Sequence, residues 1–189
     1  GYDHRFGRNR TANIDDLITF GETYGFDVEQ ISVEQLNEVS ISSTKIRTAL
    51  LAGNVELAAD YLGYNYSLTG TVTQGKQLGR TIGYPTANIA IAENYKLIPS
   101  NGVYVAQSII DGNLIYGMMN IGIRPTVDGT EQTIEIHFFD FNQNLYDCLI
   151  TISLLKRMRS EHKFESIEAL KVQLALDKVT AENYIVSLG

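Results

Sequence analysis

The sequence predicts a mainly β protein, an antiparallel barrel or sandwich with helix on either side of it. Three observations carry this. From Tyr66 onward apolar residues recur with a period of two through six short runs. Asp111-Gly112 separates two of those runs, and both residues tolerate the positive φ that a tight hairpin turn requires. Before Tyr64 and after Phe164 the apolar spacing is that of a helix.

In order along the chain, Asn13 can cap a helix carrying Ile14, Leu17, Ile18 and Tyr24, stopped by Gly25. Residues 26–31 read as a short extended run. In ISSTKIRTALLAGN, Ser43 can accept a hydrogen bond from the first turn of a helix whose apolar face is Ile46, Ala49 and Leu50. Gly53 ends that helix, and Asn54 can cap another carrying Leu57, Ala58, Tyr61 and Leu62. The six strands are expected at 66–73, 87–92, 103–110, 114–121, 133–141 and 145–154. Short strands with polar turns protect their edges by closing on themselves. Ser166 can then cap a helix over 167–176 with Ile167, Leu170 and Leu174 on one side, and Thr180 can cap a last one with Ala181, Tyr184, Ile185 and Leu188.

A chain of 189 residues with 44% hydrophobic content can hold one substantial domain, or one and a fraction. Lys and Arg total 15 against 22 Asp and Glu, a formal charge of -7, and no basic stripe appears. That argues against nucleic acid as a partner but leaves small anions open, because a pocket need not share the sign of the whole surface. The one cysteine, Cys148, cannot form an internal disulfide, and the histidines and methionines show no zinc-site spacing, which fits a reducing, cytoplasmic setting. No run of 18 apolar residues and no basic-then-apolar leader is present, so no membrane partner is expected. The chain opens on Gly1 and dense motif-like sequence rather than on methionine, and is expected to be a fragment.

The stretch GTVTQGKQLGRTIGYPTAN, residues 70–88, holds the first candidate chemistry. Glycines at 70, 75, 79 and 83 let backbone N–H groups approach phosphate oxygens, and Lys76 and Arg80 add positive charge. The spacing is not that of a GxxxxGK[ST] loop, and taken by itself it favours a hairpin with solvated basic residues. Pro85 pushes Tyr84 toward extended geometry, after which Thr86 and Asn88 share one strand face. Their hydroxyl and amide oxygens are hard donors suited to magnesium, and are also ordinary backbone-bonding groups at a strand start.

In TIEIHFFDF, alternation sends Glu135, His137 and Phe139 to one face and Ile134, Ile136 and Phe138 to the other. A glutamate there either looks into solvent or sits beside a reaction centre, and an inward one would imply a function because a buried carboxylate needs partners. His137 reads as a rim or packing histidine, and Asp140 as facing water or capping a turn with Asn142. Farther on, Arg159, Glu161 and Lys163 precede Phe164, which either docks a helix or walls an aromatic ligand pocket.

Residues 70–88, NIGIRPTV at 120–127, IEIHFFDF at 134–141 and RSEHKF at 159–164 together resemble the riboflavin kinase domain. Their order and spacing are similar to the bifunctional bacterial riboflavin kinase and FMN adenylyltransferase family, the FAD synthetases, over essentially the whole chain. The resemblance implies a six-stranded antiparallel Greek-key barrel with C-terminal helices over 64–189. It also implies that 1–63 is the C-terminal part of an adenylyltransferase domain, an incomplete α/β nucleotidyltransferase segment. ATP and riboflavin are the implied substrates, FMN the product and Mg2+ the cofactor.

By the same resemblance Thr86 and Asn88 hold magnesium and ATP, and Gly70, Val72, Gly75, Lys76, Gly79, Arg80 and Gly83 lie in the ATP-binding segment. Glu135 holds the place of the catalytic base, and Arg159, Glu161 and Phe164 fall where the flavin binds. Ser43, Thr44, Lys45 and Arg47 look like a late adenylyltransferase motif beside ATP phosphates, which a helix start would favour, although a capped surface helix carries the same residues. An H-x-G-H type motif and the early parallel strands of that domain are absent. The chain alone is therefore expected to make little or no FAD, while a longer parent would carry both activities. Two other classes stay open: a flavin-binding barrel without kinase activity, and a structural or protein-interaction barrel using its helical tail.

Overall fold

The computed structural model describes residues 5–30, 35–36, 39–75, 78–126 and 129–188. The chain divides into two compact units, 1–42 and 43–189. In the first, a 3-10 turn at Arg8–Arg10 precedes α1, Ile14–Tyr24. Asn13 caps α1 as expected: its side chain accepts from the N–H groups of Asp15 and Asp16, while Asp16 accepts from Asn13 N–H at 2.8 Å. Gly25, in left-handed geometry, ends the helix. Two-residue strands β1, Gln35–Leu36, and β2, Val39–Ser40, pair with each other. The extended run expected over 26–31 is not a strand in its described part, 26–30, because local pattern cannot provide the neighbouring strand that a ladder needs; Ile31 lies outside the described residues.

The second unit begins with α2, Ser43–Leu51, and α3, Val55–Leu62. Between them Gly53 turns with φ 78°, and Asn54 Oδ1 accepts from Leu57 N–H at 3.0 Å. Ala49, Leu50, Val55 and Ala58 belong to the same core as the barrel interior, so this helix pair covers the barrel core. The change of period near Tyr64 marks a change of local structure and not the edge of that core.

The strands are β3, Ser67–Thr73; β4, Ala87–Ala90; β5, Gly102–Ile110; β6, Asn113–Thr126; β7, Gly129–Phe138; and β8, Leu149–Arg159. A short α4, Leu78–Thr81, lies between β3 and β4. The six form a closed barrel in the order β3-β4-β7-β6-β5-β8, antiparallel throughout, with β3 returning to β8. Since β5, β6 and β7 are successive hairpins and β8 comes back beside β5, the topology is a Greek key. Asp111 and Gly112 both take positive φ, 50° and 79°, as their turn demands.

Strand limits differ from the expected ones where pairing and turns override alternation. β6 runs on to Thr126 and β7 starts at Gly129 because their ladder continues to the hairpin tip, with Arg124 and Glu131 paired at 3.2 Å. β7 stops at Phe138, ahead of Asp140 at φ 50°. β8 starts at Leu149 rather than 145, since Cys148 N–H bonds Leu145 O and Asp147 takes φ 63°.

Tyr104, Met119, Ile121, Ile134, Ile136, Ile152 and Leu154 fill the barrel. Val103, Val105, Met118, Phe139 and Leu155 point outward and are covered by α5, Ile167–Val186, through Leu174, Ala181, Tyr184 and Ile185. Burial on both faces makes the start of β5 a continuous buried run. Ser166 caps α5 as expected, but the break expected at Thr180 does not occur. Its hydroxyl donates to Leu176 O at 2.9 Å, a back-bond that a threonine makes inside a helix.

Gly53 is the turn most exposed to substitution, because a Cβ there would come within 2.5 Å of Arg157 Cδ and Ser100 Oγ besides being strained at positive φ. Gly53→Ala is expected to lower stability by roughly 1–3 kcal/mol in urea denaturation, and a loss under about 0.5 kcal/mol would contradict this packing.

Candidate active site

β4 lies between β3 and β7, and its register sets the site. Asn88 is opposite Glu135, Glu135 is opposite Asn120 of β6, and His137 is opposite Met118. Directly opposed residues share a face, so Asn88, Glu135 and Asn120 form a row across three strands, which Thr86 and His137 extend at period two. Thr86 Oγ1 donates to Glu135 Oε2 at 3.2 Å. Because Ile134, Ile136 and Phe138 fill the barrel, Glu135 points away from its interior. The carboxylate is half-buried nonetheless, on a cavity that α5 helps to wall.

His137 Nδ1 lies 2.8 Å from the Pro85 carbonyl, which can only accept, so Nδ1 carries the proton. Tyr84 and Phe139 flank the ring at centroid distances of 5.3 and 5.9 Å. Burial pushes its pKa below the ordinary 6.5; the Pro85 bond opposes the shift, Lys178 adds to it and Asp140 opposes it. His137 is thus the packing histidine that the sequence suggests, and it holds the carbonyl just before Thr86.

A cavity of about 300 Å³ stands over this row. Ile82 and Tyr84, Leu170 and Leu174 of α5, and Phe164 give it apolar walls. Arg159, Glu161 and Phe164, expected together, are brought together on it. Glu161 lies against Gly122, where a methyl group would fall 2.0 Å from Oε1, so glycine is what admits the carboxylate. Arg159 spends Nε and Nη2 on Asp177, with distances of 2.6 to 3.1 Å.

A second cavity of about 520 Å³ is lined by Arg80, Pro85, Thr86, Phe141, Asn142 and Tyr146 among others, so Thr86 is common to both. The glycine-rich segment is spread over several environments. Gly70 is buried in β3, and Val72 is in the core with its backbone bonded to Asp147 and Cys148, while its side chain reaches the floor of the second cavity. Gly75 lies under the Asn88 amide, whose Nδ2 would be 2.1 Å from a Cβ there. Gly79 allows the Tyr84 carbonyl to approach, and Gly83 turns with φ 88°. Lys76 lies outside the described residues. Ser43, Thr44, Lys45 and Arg47 occupy the start of α2 and line neither cavity.

Sequence reasoning did not single out Asn120 and Asp177. Asn120 stands in the NIGIRPTV stretch, but its place beside Glu135 is a matter of register, which sequence does not display. Asp177 had a legible signal, since it shares the helical face of Leu170, Leu174 and Ala181. Thr86 and Asn88 offer two neutral hard oxygens beside a carboxylate, a set that fits magnesium held mostly by phosphate and water.

The closed barrel thus carries a carboxylate on its outer wall, in one cavity, bonded to a threonine that also lines a second. The chain belongs to the riboflavin kinase family, whose model, described as Flavokinase: Riboflavin kinase, matches residues 62–185. It is 39% identical over 188 residues to the bifunctional riboflavin kinase/FMN adenylyltransferase of Haemophilus influenzae, covering 99% of this chain and 60% of that protein. The same-named protein of Escherichia coli K12 is 39% identical over 185 residues, covering 97% and 58%. The chain thus spans about 60% of the length of these curated relatives. A solved structure described as a macrolide-efflux protein from Streptococcus pneumoniae superposes with a TM-score of 0.86 and 35% identity, over 97% of this chain and 59% of that one.

The lowered proton affinity of His137 has a measurable sign. Its NMR titration midpoint is expected below 6.5; its contribution to stability is complete above the unfolded value and is lost as pH falls through the folded midpoint. A midpoint at or above 6.5 would contradict the packing described.

Proposed function

We propose that this chain transfers the γ-phosphate of ATP to the ribityl 5′-hydroxyl of riboflavin, giving FMN and ADP. The observation that carries the reading is the Glu135–Thr86 hydrogen bond at the junction of the two cavities. The apolar-walled cavity suits a flat flavin ring, with the ribityl chain running toward Glu135. The cavity with Arg80 and Thr86 suits the nucleotide, with its phosphates directed to the shared wall.

An alcohol is a weak nucleophile at neutral pH, so Glu135 accepts the 5′-hydroxyl proton as the oxygen bonds to the γ-phosphorus and the bond to the bridging oxygen of ADP breaks. Thr86 steadies the carboxylate, and His137 fixes the strand entrance through Pro85. Thr86 and Asn88 would hold magnesium through their side-chain oxygens, and the ion would supply positive charge beside the transferring phosphoryl group. α5 and Phe164 exclude water, which favours transfer to flavin over hydrolysis of ATP.

Residues 1–63 are assigned in this reading to the adenylyltransferase part of the family's bifunctional members. The 189-residue chain alone is expected to convert little FMN to FAD. A cytoplasmic setting accords with these substrates and with Cys148 as an exposed free thiol. Among the described residues no helix is long and apolar enough to cross a membrane.

Glu135→Gln is expected to lower kcat for FMN formation by about 10²–10⁴-fold while the KM for ATP stays near its original value. Turnover within a few-fold of the unaltered chain removes Glu135 from this role. Thr86→Ala should raise the magnesium and ATP concentrations needed for half-maximal rate, measured by ADP release; an unaltered dependence on both counts against the metal assignment.

A further inference from the structure

Asp177 is 3% exposed, on the face of α5 that docks against the barrel. A charge that far from water persists only where its oxygens are met by donors. Oδ1 accepts from Arg159 Nε and Gln173 Nε2, each at 2.9 Å, and Oδ2 accepts from Arg159 Nε at 3.1 Å and Nη2 at 2.6 Å. Arg159 ends β8, and its Nη1 donates to Ser160 O at 3.0 Å and lies 3.3 Å from His162 Nδ1. The guanidinium also stands 5.9 Å from the centroid of Phe164, whose ring packs on His162 at 4.3 Å. Little donor capacity is left for a substrate.

The chain between Arg159 and the helix cap Ser166 has no regular structure, and it contributes Glu161, His162 and Phe164 to the cavity wall. This arch is held at one end by β8 and at the other by the first turn of α5. The Arg159–Asp177 pair ties the strand end to the middle of the helix and so sets the opening that the arch spans. Glu135 is held separately, by the β4–β7–β6 ladder and by Thr86.

We infer that Asp177, acting through Arg159, is a positioning residue that fixes residues 160–165 as the flavin-facing wall, and so governs flavin affinity rather than the rate of phosphoryl transfer. The inference rests on the riboflavin kinase reading for its substrate and on the ion-pair geometry for its mechanism. Asp177→Asn keeps the shape and removes the charge; Gln173→Ala loosens one oxygen of the carboxylate and is the milder variant.

In the 189-residue chain, Asp177→Asn is expected to raise the KM for riboflavin about tenfold or more, with kcat and the KM for ATP within about threefold, and Gln173→Ala to act in the same direction by about two- to fivefold. Tryptic cleavage after Lys163, in the arch, should accelerate in both variants while cleavage within the barrel strands does not. A fall in kcat with the riboflavin KM unaltered, both KM values rising alike, or unaltered cleavage after Lys163 would each overturn the inference. Should Asp177→Asn fail to fold, Gln173→Ala decides by the same readouts. An unsubstituted chain that forms no FMN would sink the functional reading instead, and tryptic cleavage after Lys163 would still judge the clasp.

Discussion

The arrangement depends on the register of β7 in the barrel wall. Ile134, Ile136 and Phe138 must lie inside, since the core formed with Met119, Ile121, Ile152 and Leu154 has no polar partner to offer a carboxylate. Alternation then forces Glu135 and His137 outward, and a slip by one residue would bury a carboxylate and an imidazole in that core. The same ladder brings Asn88 and Asn120 to either side of Glu135. Closing the barrel and building the polar row are therefore one event.

An outward carboxylate on a bare barrel would be only a solvated side chain. α5 changes that by docking on Val103, Val105, Met118 and Leu155 and leaving a cavity between itself and the polar row. The site is thus an interface between a rigid sheet and a helix, with Glu135 and Thr86 on the sheet. In the proposed reaction the general base Glu135 sits on the sheet and the binding wall on the arch before α5, an arrangement in which the arch could close around a substrate without moving Glu135.

Much of this was legible in the sequence, for reasons that are local. The caps at Asn13, Asn54 and Ser166 are short-range hydrogen bonds, the Asp111-Gly112 turn needs only two residues, and period two finds a strand without knowing its neighbour. Alternation also separates Glu135 from Ile136, but it cannot say which face is the inside; that is decided by what the other five strands bury. Thr180 suggests a cap because capping and back-bonding use the same hydroxyl, and in the folded chain it makes the back-bond to Leu176 O. The glycine-rich stretch suggests a phosphate cradle, yet Gly75 and Gly79 also serve to admit the Asn88 amide and the Tyr84 carbonyl, contacts that spacing does not encode.

The proposed phosphoryl transfer takes place on the outer wall of the barrel, beneath α5. A crystal structure of the chain with riboflavin, ADP and magnesium tests it most directly. The flavin ring is expected between Tyr84, Phe164 and α5, with the ribityl 5′-oxygen about 3 Å from a Glu135 carboxylate oxygen. A flavin seated instead in the cavity of Arg80, Phe141 and Tyr146, or elsewhere with its 5′-oxygen out of reach of Glu135, would contradict it.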